Sequence, residues 1–141
     1  MPSPLIHSVP SSHPSVAQAQ RLLLGSLLIA AAILSFLQMA ILGPAIGWPA
    51  SLRAPAAVQL AAIAGEPAAV ALGYSFYLLY SVLVLLVVVL LAWRICGNLA
   101  RPIAVMVVAF AAQSVLARSI GILHWLTTMP TMAQQHAAAG L

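Results

Sequence analysis

An all-α membrane protein is the fold this sequence predicts, with three transmembrane helices plus a short interfacial helix in the first connector. Three observations lead there. Of 141 residues, 64% are hydrophobic and only 4% charged, against about 25% charged in a soluble globular domain. A soluble domain of this size buries only about 70% of its unfolded surface, so the apolar excess has to face lipid. Finally, the apolar residues fall into three runs, each long enough to cross a bilayer, separated by segments that hold Pro, Gly and Arg.

Residues 1–20 (MPSPLIHSVPSSHPSVAQAQ) read as a disordered polar tail. Four prolines and no periodicity argue against a packed element. His7 and His13 lie in it without acidic or Cys neighbours, which leaves them as solvated tail residues. The segment lacks the basic start of a secretory signal. The apolar run after Arg21 is therefore a retained first span.

The transmembrane domain covers residues 21–126. Span 1 is placed at about 22–42, where twenty-one residues at ~1.5 Å each cover roughly 30 Å. Gly43 and Pro44 are expected to stop it. The connector 43–67 contains its own helix signal, with Pro55 at the start, Gly65 just past the end, and Val58, Leu60 and Ile63 between. Without a basic face, that short helix is an interfacial element and not a targeting device.

Span 2 is placed at about 68–93. It is rich in β-branched residues, but a run this long cannot be a soluble strand, and in lipid a helix satisfies its own backbone. RICGNLARP reads as a tight turn around Gly97 and Asn98. Span 3 follows at about 102–126, and residues 127–141 read as a short polar tail. No internal repeat and no separate soluble domain is visible.

The charges are Arg21, Arg53, Arg94, Arg101, Arg118 and one acid, Glu66, for a net charge of +4. Arg21, Arg94 and Arg101 fall on one side of the predicted membrane. Arg53, offset by Glu66, falls on the other. The positive-inside rule puts the N-terminus and the span 2–3 turn in the cytoplasm of a bacterial inner membrane. Trp48, Trp93 and Trp125 each sit at a predicted span end, as interface anchors do.

Arg118 is the polar residue that most needs an explanation. It lies about seven residues, or roughly 10 Å, inside Trp125. Centring an Arg in a bilayer costs at least ~2.5–3.5 kcal/mol, which snorkelling to outer lipid phosphates partly relieves. On a helical wheel Ser114, Arg118, Gly121 and Trp125 share one face, with Ala111 at its edge. Leu116, Ile120 and Leu123 take the opposite, lipid-facing side. Tyr77 and Tyr80 of span 2 come at matching depth, and Glu66 lies at the mouth of that span. The expected polar cluster is Arg118, Tyr77, Tyr80 and Glu66. Gln38, Gln113 and Ser114 are expected to hydrogen-bond between helices.

No catalytic constellation is present. One acid excludes a carboxylate pair or a carboxylate metal site, and the chain has no Asp for a Ser–His–Asp set. HExxH and Gly-rich phosphate loops are absent. Cys96 stands alone, so no disulfide or thiolate metal site forms within the chain. His124 has no second His in a span with which to hold a haem. An intramembrane Ser–His enzyme would need a serine facing His124. Lys and Arg do not cluster as a nucleic-acid binder requires. No cofactor and no metal is expected. The expected partners are membrane lipids and other membrane helices.

The segments GWPASLRAPAAVQLAAIAGEP, GYSFYLLYSVLVLLVVVLLAWR and ARSIGILHWLTTMPTMA, in that order, resemble the bacterial multi-span proteins grouped as domain of unknown function 4386. In that group a Pro- and Leu-containing loop precedes a Tyr-rich span, and a later span ends in a Gly–aliphatic–Arg–Trp segment followed by a Pro. Here His124 stands where that Arg would be. The likeness covers roughly residues 40–135 and carries no known activity and no assigned functional residues. It implies further spans after the Pro, so the chain would be a shortened member or three helices of a larger bundle.

Three functional readings follow. The first is a non-enzymatic subunit or homo-oligomer acting through helix–helix association, for which Gly25, Ser26 and Ala30 to Ala32 offer a close-packing face. It expects Arg118 between helices or snorkelled, with no cavity. The alternative is transport or binding of an anionic small molecule or lipid head group at Arg118, which requires a cavity there. The last is an intramembrane enzyme.

Overall fold

The computed structural model describes residues 16–96 and 101–140. Their order is α1 (Val16–Ile46), a 3-10 turn (Ala50–Arg53), α2 (Ala56–Gly65), α3 (Pro67–Cys96) and α4 (Arg101–Ala138). No strand occurs among the described residues. Three of the helices, α1, α3 and α4, are long and apolar enough to cross a membrane, and α2 is the short helix of the first connector. Most of the N-terminal tail and the turn around Gly97 and Asn98 lie outside the described residues.

The helices extend beyond the sequence boundaries, each for a local reason. α1 begins at Val16 and not after Arg21, because VAQAQ is made largely of good helix formers. At its other end Pro44 lies inside the helix, contrary to the expected stop. Its missing N–H removes one hydrogen bond, but Leu42 and Ile46 on either side are buried and hold the last turn. The stop is Gly47. It adopts φ +67°, and its N–H donates to Gly43 O at 2.8 Å, a left-handed cap suited to a residue without Cβ. In α2 the expected signals shift by one position: Pro55 is the N-cap and Gly65 the last helical residue.

The largest correction is at the C-terminus. Residues 127–138, expected as part of a polar tail, continue α4. Thr127 and Thr131 fold their hydroxyls onto the carbonyls of Leu123 and Thr127 around Pro130. Met129 and Ala133 pack into the core beside Ile63 of α2. Gly140, at φ +68°, then ends the element. Thirty-eight residues give roughly 57 Å of helix, well beyond a ~30 Å bilayer core. The end of α4 and α2 thus form a cap on one end of the spans.

α3 is the central helix, packed along α1 on one side and α4 on the other, while α2 packs on α4. On α4 the inward positions are Ala104, Val108, Ala111, Val115, Arg118, Ile122, Trp125 and Met129. Their alternating spacing of four and three is the 3.5-residue period of helices packed nearly side by side. The closest approach of α1 and α3 is at Gly73. A Cβ there would stand 2.5 Å from Leu42 Cγ and Cδ2. Gly25, expected to be a close-packing residue, has nothing within 4 Å of its Cβ position.

Candidate functional site

α3 and α4 run antiparallel, which brings the Tyr-bearing start of α3 against the Arg118–Trp125 stretch of α4. Tyr74, Tyr77 and Ser81 recur at spacings of three and four on α3 and so share a face. The Arg118 guanidinium carbon lies 5.7 Å from the centroid of the Tyr77 ring, a cation–π contact. Tyr77 neighbours Tyr80 at 6.3 Å and meets Trp48 edge-on at 6.2 Å. Tyr74 stacks on Trp125 at 4.9 Å. Ser81 donates its hydroxyl to Tyr77 O within the helix.

Of the four residues expected to cluster, Arg118, Tyr77 and Tyr80 are linked in a chain of ring contacts. Glu66 is not. It is exposed and lines a separate groove with Ile41, Pro44, Ala45 and Ala69. No ion pair joins it to Arg118. The helix after Pro67 carries Tyr77 away from Glu66 by nearly three turns, so a carboxylate at the mouth of the span cannot follow.

The interhelical polar residues divide. Gln38 is buried between helices at 4% exposure, but the expected interhelical hydrogen bond is not formed among the described residues, and its Oε1 is left unpaired. Gln113 and Ser114, also expected between helices, are instead exposed on the outer side of α4. The wheel placed Ser114 with Arg118, but α4 packs a narrower stripe, because only α3 and α2 cover it. Leu116, Ile120 and Leu123 do face outward.

The three tryptophans have different surroundings. Trp93 is exposed in a groove with Gln20, Leu24 and Arg94. Trp48 and Trp125, expected only as interface anchors, are half-buried against the tyrosines. Together with Tyr74, Tyr77, Arg118 and Gly121 they line an open groove of about 270 Å³, where the association reading expected no cavity.

Sequence reasoning left Tyr74 out of the expected cluster, though it is the most enclosed tyrosine at 2% exposure. The signal was available: Tyr74 precedes Tyr77 by three residues and so lies on its face. It also missed Gln59, whose amide donates to Ser51 O at 2.8 Å and Ala54 O at 2.9 Å. That clamp ties the 3-10 turn to α2 and so positions the connector that carries Trp48 and Leu52. Among the described residues no group of three metal-ligating side chains occurs.

Three long apolar helices with a polar-aromatic groove at one end define a helical membrane protein. Comparison with protein-family models, curated proteins and solved structures finds no match.

Proposed function

We propose that this protein is a non-enzymatic subunit of the bacterial inner membrane that works by associating with a second copy of itself, its N-terminus in the cytoplasm. Gln113 carries the reading. It lies about twelve residues, or roughly 18 Å, from either end of the apolar part of α4, too deep for its side chain to reach water. It is exposed and makes no hydrogen bond among the described residues. An unsatisfied amide in hydrocarbon is costly. A carboxamide is both donor and acceptor, so two copies of Gln113 satisfy each other across a two-fold axis. Ala109 and Ala117, at the same face, let two backbones approach.

The orientation is supported by Arg21 and Arg94. The start of α1 and the end of α3 meet in one groove, on the same side as Arg101. A non-enzymatic role is supported by the single acid in the chain.

Native mass spectrometry of protein released from lipid nanodiscs tests the association. A dimer is expected, and Gln113→Leu should raise its dissociation constant about tenfold, the equivalent of one to two interhelical hydrogen bonds. A monomeric wild type, or a dimer indifferent to Gln113→Leu, removes the reading.

A further inference from the structure

We propose that the groove between α3, α4 and the Trp48 connector binds an amphiphilic anion, a carboxylate or phosphate head on an apolar body, with Arg118 as its counter-charge. The site lies on the inward face of α4 and is independent of the Gln113 face.

Arg118 carries a charge that nothing among the described residues neutralises. Its contact among the described residues is the face of Tyr77, which holds the guanidinium from one side and leaves its N–H donors uncommitted. The only acidic side chain, Glu66, lines another groove. A guanidinium in low-dielectric surroundings gains most from a planar or tetrahedral oxyanion that accepts two of its N–H groups at once.

A second polar group points to the same ligand. Tyr74 lines the groove and is 2% exposed, and its hydroxyl is buried without a hydrogen-bond partner. Buried hydroxyls are normally paired, and an unpaired one costs about 1–3 kcal/mol. An oxyanion held by Arg118 would give that O–H an acceptor.

The rest of the wall is apolar. Trp48, Leu52, Ile122 and Trp125 supply it, and nothing stands within 4 Å of where a Gly121 Cβ would be. The volume, about 270 Å³, is just below the ~300–1,000 Å³ range of small-molecule sites. It suits a head group and the first part of a chain, with the remainder leaving through the open side into lipid. A cationic ligand gains nothing from the uncompensated Arg118.

Trp48 and Trp125 report on the groove directly. In the full chain with Trp93→Phe, held in phosphatidylcholine nanodiscs, tryptophan fluorescence is titrated with brominated dodecanoate and, separately, with brominated phosphatidic acid. Saturable quenching by either supports the site. Saturation by dodecanoate alone identifies a free amphiphile as the occupant, and saturation by phosphatidic acid alone identifies a lipid head group. Arg118→Leu is expected to weaken saturable binding about ten- to a hundredfold, the scale of a charged hydrogen-bond pair. Tyr74→Phe, which removes one atom and serves if Arg118→Leu does not fold, should weaken it about three- to tenfold. Quenching that rises linearly with both probes, or that is the same in both variants, overturns the proposal.

Discussion

The ring of Tyr74 stacks on the indole of Trp125 with centroids 4.9 Å apart and 20° between the planes. That pair joins α3 to α4 one turn of α3 from the Tyr77–Arg118 contact, and the Tyr74 hydroxyl beyond it is unpaired. The stack and the hydroxyl therefore have opposite effects on stability. Trp125→Ala should cost about 1–3 kcal/mol, less than the ~3–5 kcal/mol of a fully buried aromatic because Trp125 is half-buried. Tyr74→Phe keeps the stack and removes a buried unsatisfied group, so ligand-free protein should be unchanged or up to ~1 kcal/mol more stable. Thermal unfolding in detergent followed by helical circular dichroism distinguishes the two.

Gly73 is the tightest point between α1 and α3. Gly73→Ala would drive a methyl group into Leu42, a side chain with no exposed surface. The expected loss is about 1–3 kcal/mol. Combined with Leu42→Ala, Gly73→Ala should cost less than the sum of the two single changes, since the two residues share one space. Gly25→Ala meets nothing and should be neutral. Equal effects at both glycines would contradict the packing of α1 on α3.

Arg118 makes no hydrogen bond within the described residues, and its ring contact is worth about 0.5–2 kcal/mol. A leucine would pack on the same ring without a charge to desolvate. Arg118→Leu should therefore leave the melting temperature of ligand-free protein unchanged or raised. A clear drop would make the Arg118–Tyr77 contact structural.

Cys96 is a free, partly exposed thiol at the end of α3 and is the only cysteine. With the N-terminus in the cytoplasm, a membrane-impermeant maleimide should miss it in intact cells and label it after lysis. Labelling in intact cells would invert the topology.

Gln59 holds two carbonyls of the 3-10 segment with one amide. Gln59→Leu should release that segment at a cost of about 1–2 kcal/mol. Hydrogen exchange confined to residues 47–56 reads the change, with α1 and α3 protected as before.

How much of this was legible in the sequence depends on how local the cause was. The spans needed only composition and run length, because a bilayer requires about twenty apolar residues and a helix wherever a chain crosses it. The start of α3, placed within one residue, and the outward Leu116, Ile120 and Leu123 came from the same local rules. Helix ends were less legible. Pro44 read as a breaker and residues 127–141 as a tail, yet packing of Leu42, Ile46 and Ala133 carries α1 through Pro44 and α4 through Pro130.

The site divides in the same way. The sequence by itself determined that Arg118 was the costly residue of span 3 and that tyrosines of span 2 reached its depth, since helical rise converts residue number into depth. Only the tertiary structure decided that Glu66 stays apart, that Gln113 and Ser114 face outward, and that Tyr74, Trp48 and Trp125 close around Arg118. Those outcomes depend on how each helix rotates about its own axis and how the connector folds back. Such rotation is set by which side chains interlock, such as Leu42 against Gly73, and in a chain so uniformly apolar the residue pattern leaves it open.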